Sequence, residues 1–542
     1  MPLGAHALPS PFRLAALTAV RYSRRRATHD RRKISHYIGK LRRAQTGDIP
    51  LFREAPKIPR KRDSKNGLEP GFRAPARVAP IASQPVRTRF PLQLEILLAR
   101  ATGRLSRLAR AGGGTTVPGK LLWKLDPEAV DELARRLPRG SALVSATNGK
   151  TTTAAMAARI LAGRTRLAHN SSGANLVSGI ASTLLAARDA ELGLFEVDEA
   201  ALPEVARRLQ PRAVCLGNLF RDQLDRYGEL ELIAERWRSA VTQLPVDAAL
   251  VVNGDDPQVG DLGADRAGRT VFGVDDPSQA YPALQHAADS KWCIRCGTPY
   301  EYAAAYIGHL GDYRCPACGH ARPPLDLVAS KLRLDGITRV SFELTTPEGS
   351  RQIELGVPGL YNVYNAMAAA SLARALGSSL DEIKSGLEAF SGAFGRFERI
   401  EVNGKSLLVL LIKNPAGANE AIRTLLNGHA PTLALVALND ATADGKDVSW
   451  IWDVDFEPLL PALDRLVASG DRAAELALRF KYAGLDQRVI EVVPDLEAAL
   501  DRALELTPPG GELVALSTYT AMLALRDIVA KRGFVRQYWE AA

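Results

Sequence analysis

The sequence predicts an α/β protein. A central phosphate-binding domain is interrupted by a four-cysteine zinc ribbon, a C-terminal α/β domain follows, and a disordered basic leader precedes both. Three observations predict this. Residues 141–163 read as strand, Gly-Lys-Thr turn and helix. Apolar runs then alternate with helical patterns to the end of the chain, which is how a parallel sheet with helices on its faces is written. Two Cys-x-x-Cys pairs interrupt the alternation near its middle.

The phosphate loop joins a strand to a helix. Ala142, Leu143 and Val144 form a short buried strand, 146–149 a tight turn, and a helix runs from Thr151 to a stop at Gly163. Backbone N–H groups at a helix start point at an anion, and the helix dipole favours negative charge there. Lys150 reaches the β/γ-phosphates of ATP and the Thr151 hydroxyl sits on Mg²⁺, with Thr147, Asn148, Gly149 and Thr152 completing the cradle. The general motif places a glycine five residues before Gly149, where this chain has Val144.

The 542 residues allow two or three domains, and 46% hydrophobic residues suit a globular α/β chain. Charge is unevenly placed. Residues 1–90 hold 21 Lys/Arg and 5 Asp/Glu, or +16, so the remainder of the +10 chain carries −6. The basic character therefore belongs to the leader, and no nucleic-acid binding is expected of the body. Arg, Pro and Ala dominate 1–90, with few periodic apolar positions, which predicts disorder. A patch for anionic lipid and a start codon placed too far upstream are the competing readings. No apolar run is long enough to span a bilayer.

Order is predicted from about residue 92: a helix over 92–101, a glycine-rich loop over 112–119, and a helix over 126–137. A polar loop, 170–175, separates Leu167 from the next apolar helix. The run 192–199 ends in Glu196, Asp198 and Glu199, at the carboxyl edge of a strand and so beside the phosphates. Glu196 is the expected Mg²⁺ ligand. Cys215, among apolar neighbours, reads as core.

Cys293, Cys296, Cys315 and Cys318 form two knuckles separated by 18 residues. Zn²⁺ takes four thiolates in a tetrahedron, and four protein ligands leave no open position, so the zinc is expected to be structural. The insert, 291–324, is too small to hold a core without metal. His309 and His320 read as solvated neighbours. Beyond it, Asn362 and Asn365 open a small-residue helix, Gly395-Arg-Phe-Glu398 reads as the hinge between domains 91–395 and 396–542, and 438–457 is a long loop mixing Asp with Trp450 and Trp452. Such a loop is a candidate interface or active-site element.

Together these motifs resemble the Mur ligase family. Ala146-Thr-Asn-Gly-Lys-Thr-Thr152 resembles its nucleotide loop, with Ala146 where the family usually has Gly. Arg221-Asp-Gln-Leu-Asp-Arg-Tyr-Gly228 resembles its Asp-His-Leu-Asp-x-His-Gly motif, with Gln223 in place of a metal-associated His. Tyr361-Asn-Val-Tyr-Asn-Ala366 resembles its adenine-side helix. The cysteine insert, Lys413-Asn-Pro-Ala-Gly417 and Asp444-Gly-Lys-Asp-Val-Ser-Trp-Ile-Trp-Asp453 narrow the resemblance to the ligase-type subunits of lipid II isoglutaminyl synthases. It covers about residue 92 to the end, with no room for the UDP-binding N-terminal domain of ordinary Mur ligases.

The resemblance implies an ATP-dependent carbon–nitrogen ligase. It would amidate the α-carboxylate of D-glutamate in the lipid II stem peptide through an acyl phosphate, using Mg²⁺. Asn365 and Arg396 would join the nucleotide site. Ammonia would come from a GatD-like glutaminase subunit in a heterodimer, with Asp447 completing that partner's Cys-His pair. The location implied is cytoplasmic, at the inner face of the membrane where the lipid-linked substrate lies. Two rivals remain at this point: a folylpolyglutamate-type or other amino-acid ligase that needs no glutaminase, and a zinc-ribbon nucleic-acid-binding ATPase.

Overall fold

The computed structural model describes residues 116–535 apart from 172, 223–229, 287, 392–395 and 429. The basic leader, the expected helix over 92–101, Gln223 and the Gly395 hinge lie outside the described residues. Where a loop is expected over 112–119, a helix begins at Val117 and runs to Leu125. Pro118 sits in its first turn, where a missing N–H breaks no helical bond. Gly119 lets this helix press on the helix Val177–Ala186, because a Cβ there would meet the Ser178 carbonyl at 1.8 Å.

The central sheet is built from β1 (Ser141–Ser145), β2 (Leu167–His169), β3 (Leu192–Glu196), β4 (Ala213–Leu216), β5 (Ala249–Asn253) and β6 (Arg269–Val274). After an inserted hairpin, β7 (Glu301–Ile307) and β8 (Leu310–Arg314), come β9 (Leu327–Asp335), β10 (Arg339–Thr346) and β11 (Gly349–Leu355). The strand order is β11-β10-β9-β6-β5-β4-β1-β3-β2. Pairing is parallel from β2 through β9, and β10 and β11 add an antiparallel edge. Strands β1, β3 and β4 are buried along their whole length, as parallel strands with both faces covered must be.

Two cores lie on the two faces. One packs Met156, Ile160, Val363, Met367 and Leu387 against the sheet. The other packs Leu133, Leu184, Val205 and Trp237. The helix Leu360–Ala375 alternates Ala with larger apolar residues and is buried from Asn362 to Ala373. Small side chains let its backbone approach the sheet closely, which explains the run of alanines. Strand order reverses at β1, with β3 on one side and β4 on the other. In such a sheet ligands bind outside the carboxyl ends at the reversal, and the Gly-Lys-Thr turn leaves β1 there.

The C-terminal sheet comprises β12 (Arg396–Val402), β13 (Lys405–Leu411), β14 (Leu433–Ala437), β15 (Arg465–Ser469), β16 (Ile490–Val492) and β17 (Glu512–Ser517). Its order is β12-β13-β17-β14-β15-β16, and only β12 runs antiparallel to its neighbour. The apolar run at 407–412 is the inner strand β13 and its exit. No helix among the described residues is long and apolar enough to cross a membrane.

The helix Pro415–Leu426 packs against the central domain. Glu420 on it is 2% exposed and accepts a hydrogen bond from the Tyr281 hydroxyl at 3.0 Å. Arg423 donates to the Tyr306 and Gln279 carbonyls at 2.9 and 2.6 Å. Burial pushes the Glu420 carboxyl up to about 7 from 4.5, with Arg423 only partly opposing it. The folded state therefore favours the neutral acid. The cost is absent below the unfolded value of 4.5 and grows as pH rises through about 7. Glu420→Gln is expected to stabilise the protein more at pH 8 than at pH 5, by up to ~3 kcal/mol. Thermal melts at the two pH values check this, and an equal effect at both would show that Glu420 is already ionised at pH 5 in the folded protein.

Candidate functional site

Local sequence explains the shape of the phosphate loop. Gly149 has φ +86°, and a Cβ there would lie 1.9 Å from Asn365 Oδ1. Only glycine satisfies both the left-handed backbone and the approach of the Leu360–Ala375 helix. The helix Lys150–Leu161 starts immediately afterwards. Ser145 donates to the Val197 carbonyl at 2.9 Å and fixes the end of β1. Thr147 N–H donates to the Asn218 carbonyl at 2.8 Å, and Asn148 N–H donates to Asn218 Oδ1 at 2.9 Å. Phe220 N–H donates to Thr147 Oγ1 at 3.1 Å.

Lys150 is almost fully buried. Its ammonium donates to Glu199 at 2.7 Å and to the Thr147 carbonyl at 3.3 Å. A second lysine arrives from the C-terminal domain: Lys413, at the exit of β13, pairs with Asp222. Burial opposes the Lys413 charge, yet Asp222 and Glu199 outweigh it and raise its pKa. Burial likewise opposes the Glu199 carboxylate, but Lys150 and Lys413 hold it below its ordinary value. The next residue, Asn414, exchanges side-chain hydrogen bonds with Asn148 at 3.2 and 3.0 Å. It also caps the helix Pro415–Leu426 by accepting from Gly417 N–H. The C-terminal domain thus closes on the phosphate loop through adjacent side chains.

Glu196 ends β3 and is buried. Asn170 brackets its backbone with two hydrogen bonds at 2.9 Å, and Asn175 donates to its carboxylate at 3.3 Å. This carboxylate, with the Thr151 hydroxyl on the first turn of the helix, fits the hard-oxygen preference of Mg²⁺. Glu199, three residues on, is the partner of Lys150. Thr152 is buried and Thr151 half-buried on that first turn. Asn365 is buried and donates to Asn362 Oδ1 at 3.0 Å. It lines a cleft with Asn148, Asn218, Asn253 and Tyr364 that opens beside the loop. Arg396 lies in β12, and its side chain is outside the described residues.

The four cysteines converge. Their sulfurs all lie within 4.8 Å of one another, with Cys293–Cys318 at 3.5 Å and Cys296–Cys315 at 3.4 Å. Tetrahedral Zn²⁺ with Zn–S near 2.3 Å needs S···S of roughly 3.8 Å, so the donor set fits zinc. Each knuckle closes on a glycine, Gly297 at φ +73° and Gly319 at φ +74°, whose N–H returns to the first Cys carbonyl. The two histidines are not solvated as expected. His320 is buried, its Nδ1 2.6 Å from the Tyr300 hydroxyl and its Nε2 3.5 Å from Asp261. His309 is fully buried at the hairpin tip, its Nε2 3.4 Å from Asp256. Both fix the ribbon to the sheet, and neither belongs to the sulfur cluster.

Asp447 stands apart, exposed on the 438–457 loop. Its carboxylate accepts from Ser449 N–H at 2.9 Å, and hydrogen bonding from Ser449 holds it below its ordinary value. Its surroundings are braced: Asp444 accepts from Thr520 N–H at 2.9 Å, and Asp455 and Asn419 exchange bonds at 2.9 and 3.0 Å. Trp452 stays 46% exposed beside exposed Tyr482, ring centres 5.9 Å apart.

Residues 144–293 match the Mur ligase middle domain, and residues 411–522 match the MurT ligase C-terminal domain. The lipid II isoglutaminyl synthase subunit MurT of Streptococcus pneumoniae is 34% identical over 454 residues, 82% of this chain and 99% of that protein. The chain belongs to the MurT family. The Staphylococcus aureus N315 MurT subunit is 30% identical over 80% of this chain and 96% of its own length. MurT chains are ligases of the Mur type, whose members are ATP-dependent synthetases. Two solved structures share the fold: a pseudomurein peptide ligase type C from Methanothermus fervidus (TM-score 0.60, 21% identity, 74% of this chain and 80% of that one) and MurF from Acinetobacter baumannii (0.56, 19%, 76% and 80%).

Proposed function

We propose that this MurT-family chain amidates the α-carboxylate of D-glutamate in the stem peptide of lipid II, using ATP and ammonia from a partner glutaminase in a heterodimer. The observation that carries the reading is the charge cluster at the domain junction. Lys150 and Lys413, one from each domain, face Glu199 and Asp222 beside the phosphate loop. A carboxylate is a poor electrophile. Transfer of the γ-phosphoryl group to its oxygen, with ADP leaving, makes an acyl phosphate. Ammonia then adds to the carbonyl carbon, phosphate departs, and a proton is lost to give the amide. Two ammonium groups at the junction offset charge developing on the transferring phosphoryl oxygens. Mg²⁺ held by Glu196 and Thr151 would add Lewis-acid stabilisation there. Thr147, Asn148, Gly149, Thr152 and Asn365 cradle the nucleotide, and Arg396 is assigned to the same site.

Ammonia must be made elsewhere. A glutaminase needs a thiolate with a histidine base. Cys215 is buried in β4, and burial pushes its thiol up to about 12, while the other four cysteines are zinc ligands. The exposed carboxylate of Asp447 is well placed to serve a partner's Cys-His pair, because an aspartate that orients a histidine must reach it from outside. This favours the synthase over a glutaminase-free amino-acid ligase. The acidic balance of the body outside the leader disfavours a nucleic-acid role. A lipid-linked substrate places the complex in the cytoplasm at the inner membrane face.

The test uses the assembled complex with glutamine or with ammonium as nitrogen source. Asp447→Asn is expected to lower glutamine-driven amidation about 10²–10⁴-fold while leaving ammonium-driven amidation within twofold, as loss of an orienting carboxylate does. Equal loss with both nitrogen sources would assign Asp447 to the ligase step. Amidation with an amino acid as the amine, and no partner, would favour the rival ligase.

A further inference from the structure

Three consecutive backbone donors after β4 are each held by a side chain from a different element. Leu219 N–H donates to Asp256 Oδ2 at 2.8 Å, Phe220 N–H to Thr147 Oγ1 at 3.1 Å, and Arg221 N–H to Asp289 Oδ2 at 2.9 Å. Segment 219–221 is therefore fixed at once to the sheet, to the phosphate loop and to the stem of the zinc insert. The insert presses on it again at its hairpin tip, where the His309 ring lies 4.7 Å from the Phe220 ring. Arg221 then reaches in two directions. Its Nε pairs with Asp289 of the insert stem. Its Nη2 lies 3.4 Å from Asp453 Oδ2 in the C-terminal domain.

Asp453 is the last residue of the short 3₁₀ helix Ser449–Asp453, whose first N–H is capped by Asp447. Ile451 and Val454 of the same stretch are buried, and the buried Arg479 guanidinium donates to the Ile451 carbonyl at 3.1 Å. The turn is thus one packed piece, with Asp447 at its start and Asp453 at its end. At about 2 Å rise per residue the backbone of this short helix spans roughly 8–10 Å, so its two ends are close in space.

We propose that the Arg221–Asp453 bridge transmits nucleotide occupancy of the phosphate loop to the turn that carries Asp447, so that glutamine hydrolysis by the partner rises when nucleotide is bound. The proposal rests on the assignment of Asp447 to the partner's site. A nucleotide phosphate competes with Glu199 for Lys150. When Lys150 turns to the phosphate, Glu199 and Asp222 keep Lys413 as their remaining cation, and the C-terminal domain is drawn toward segment 219–222. That motion tightens the neighbouring Arg221–Asp453 contact and sets the turn. Arg221 and Asp453 are positioning residues here, since neither touches glutamine nor the reacting phosphoryl group. Such a device keeps ammonia from being released when no nucleotide is present to activate the acceptor.

The experiment measures glutamine hydrolysis by the assembled complex, with and without Mg²⁺ and a non-hydrolysable ATP analogue. Stimulation of about fivefold is expected for the natural chain, equivalent to ~1 kcal/mol of coupling. Asp453→Asn should reduce it to less than twofold. Nucleotide-free hydrolysis and ammonium-driven amidation should stay within twofold, and Asp453→Glu should restore most of the stimulation. A merely structural role would lower all three rates together. Undiminished stimulation in Asp453→Asn, absence of stimulation in the natural chain, or parallel loss of ammonium-driven amidation would each overturn the proposal. Failure of the Asp447 assignment reads out separately, as normal glutamine-driven amidation in Asp447→Asn.

Discussion

Lys150→Ala is expected to lower ATP-dependent amidation about 10³-fold with either nitrogen source. Its ammonium is the only cation within hydrogen-bond reach of both the loop carbonyls and Glu199 among the described residues. Removing one charge-stabilising group from a water-poor site costs about 10²–10³-fold in rate, and the lost attraction for the polyphosphate adds to this. The substitution has a second consequence, because Glu199 is 6% exposed. Breaking a buried ion pair on one side costs up to about 3–5 kcal/mol, reduced here because Lys413 still faces Glu199. Lys150→Ala is therefore expected to melt earlier than the natural chain. Pairing it with Glu199→Gln removes the stranded charge and should recover most of the stability without recovering activity. Turnover assays with melting curves separate the two effects, and zinc content should be unchanged throughout. Amidation retained by the stable double variant would sink the assignment of this loop to the nucleotide.

The sequence stated the strands and the phosphate loop well because a parallel sheet is written in local patterns. β1, β3, β4 and β5 are short apolar runs, and each is followed by a helix with its own signals. The cysteine insert was equally readable, since ligand spacing is a local property. What local pattern could not state is which distant side chains meet. Glu199 reads as one acid among three, and only the fold shows that it partners Lys150 while Glu196 turns to Asn175. Lys413 and Asn414 belong to a recognisable motif, but their contacts with Asp222 and Asn148 span the two domains. The histidines went wrong for the same reason. His309 follows Gly308 and His320 follows Gly319, which looks like a solvated turn, yet Asp256 and Asp261 arrive from more than 50 residues away and meet them in the interior. Pro118 and Gly119 misled locally, because a glycine-rich stretch reads as a loop until Gly119 is seen to be a close-packing position.

Removal of the sulfur cluster should act at a distance from its own atoms. Cys315→Ser is expected to lose about one equivalent of zinc per chain and to expose 291–324 to proteolysis. The insert's own core is only Cys293, Tyr300, Tyr313 and Cys315, with Tyr302 packed beside them. A 34-residue segment of this kind lies below the roughly 40 residues that a metal-free core usually needs. Structural zinc supplies apparent binding energies of about 10–16 kcal/mol, which becomes folding energy when the apo site is unformed. The knuckles' own surface contacts are weak by comparison, whereas Ala304, Tyr306, Ile307 and Leu310 of the hairpin belong to the main core of the central domain. Arg295 to Asp261 at 2.7 Å has an exposed guanidinium, and pairs with an exposed partner contribute about 1 kcal/mol or less. Loss of zinc would therefore free the two knuckles and loosen Asp289 at the stem of the insert. Asp289 holds Arg221 N–H of segment 219–221, so nucleotide affinity should fall several-fold although none of the four insert cysteines lines the cleft beside the phosphate loop. Zinc analysis, limited proteolysis and nucleotide titration on the same preparation read the chain of effects in order. Zinc loss without new cleavage between 291 and 324 would show that the insert folds without its metal. Cleavage with undiminished nucleotide affinity would show that segment 219–221 stands without the ribbon behind it.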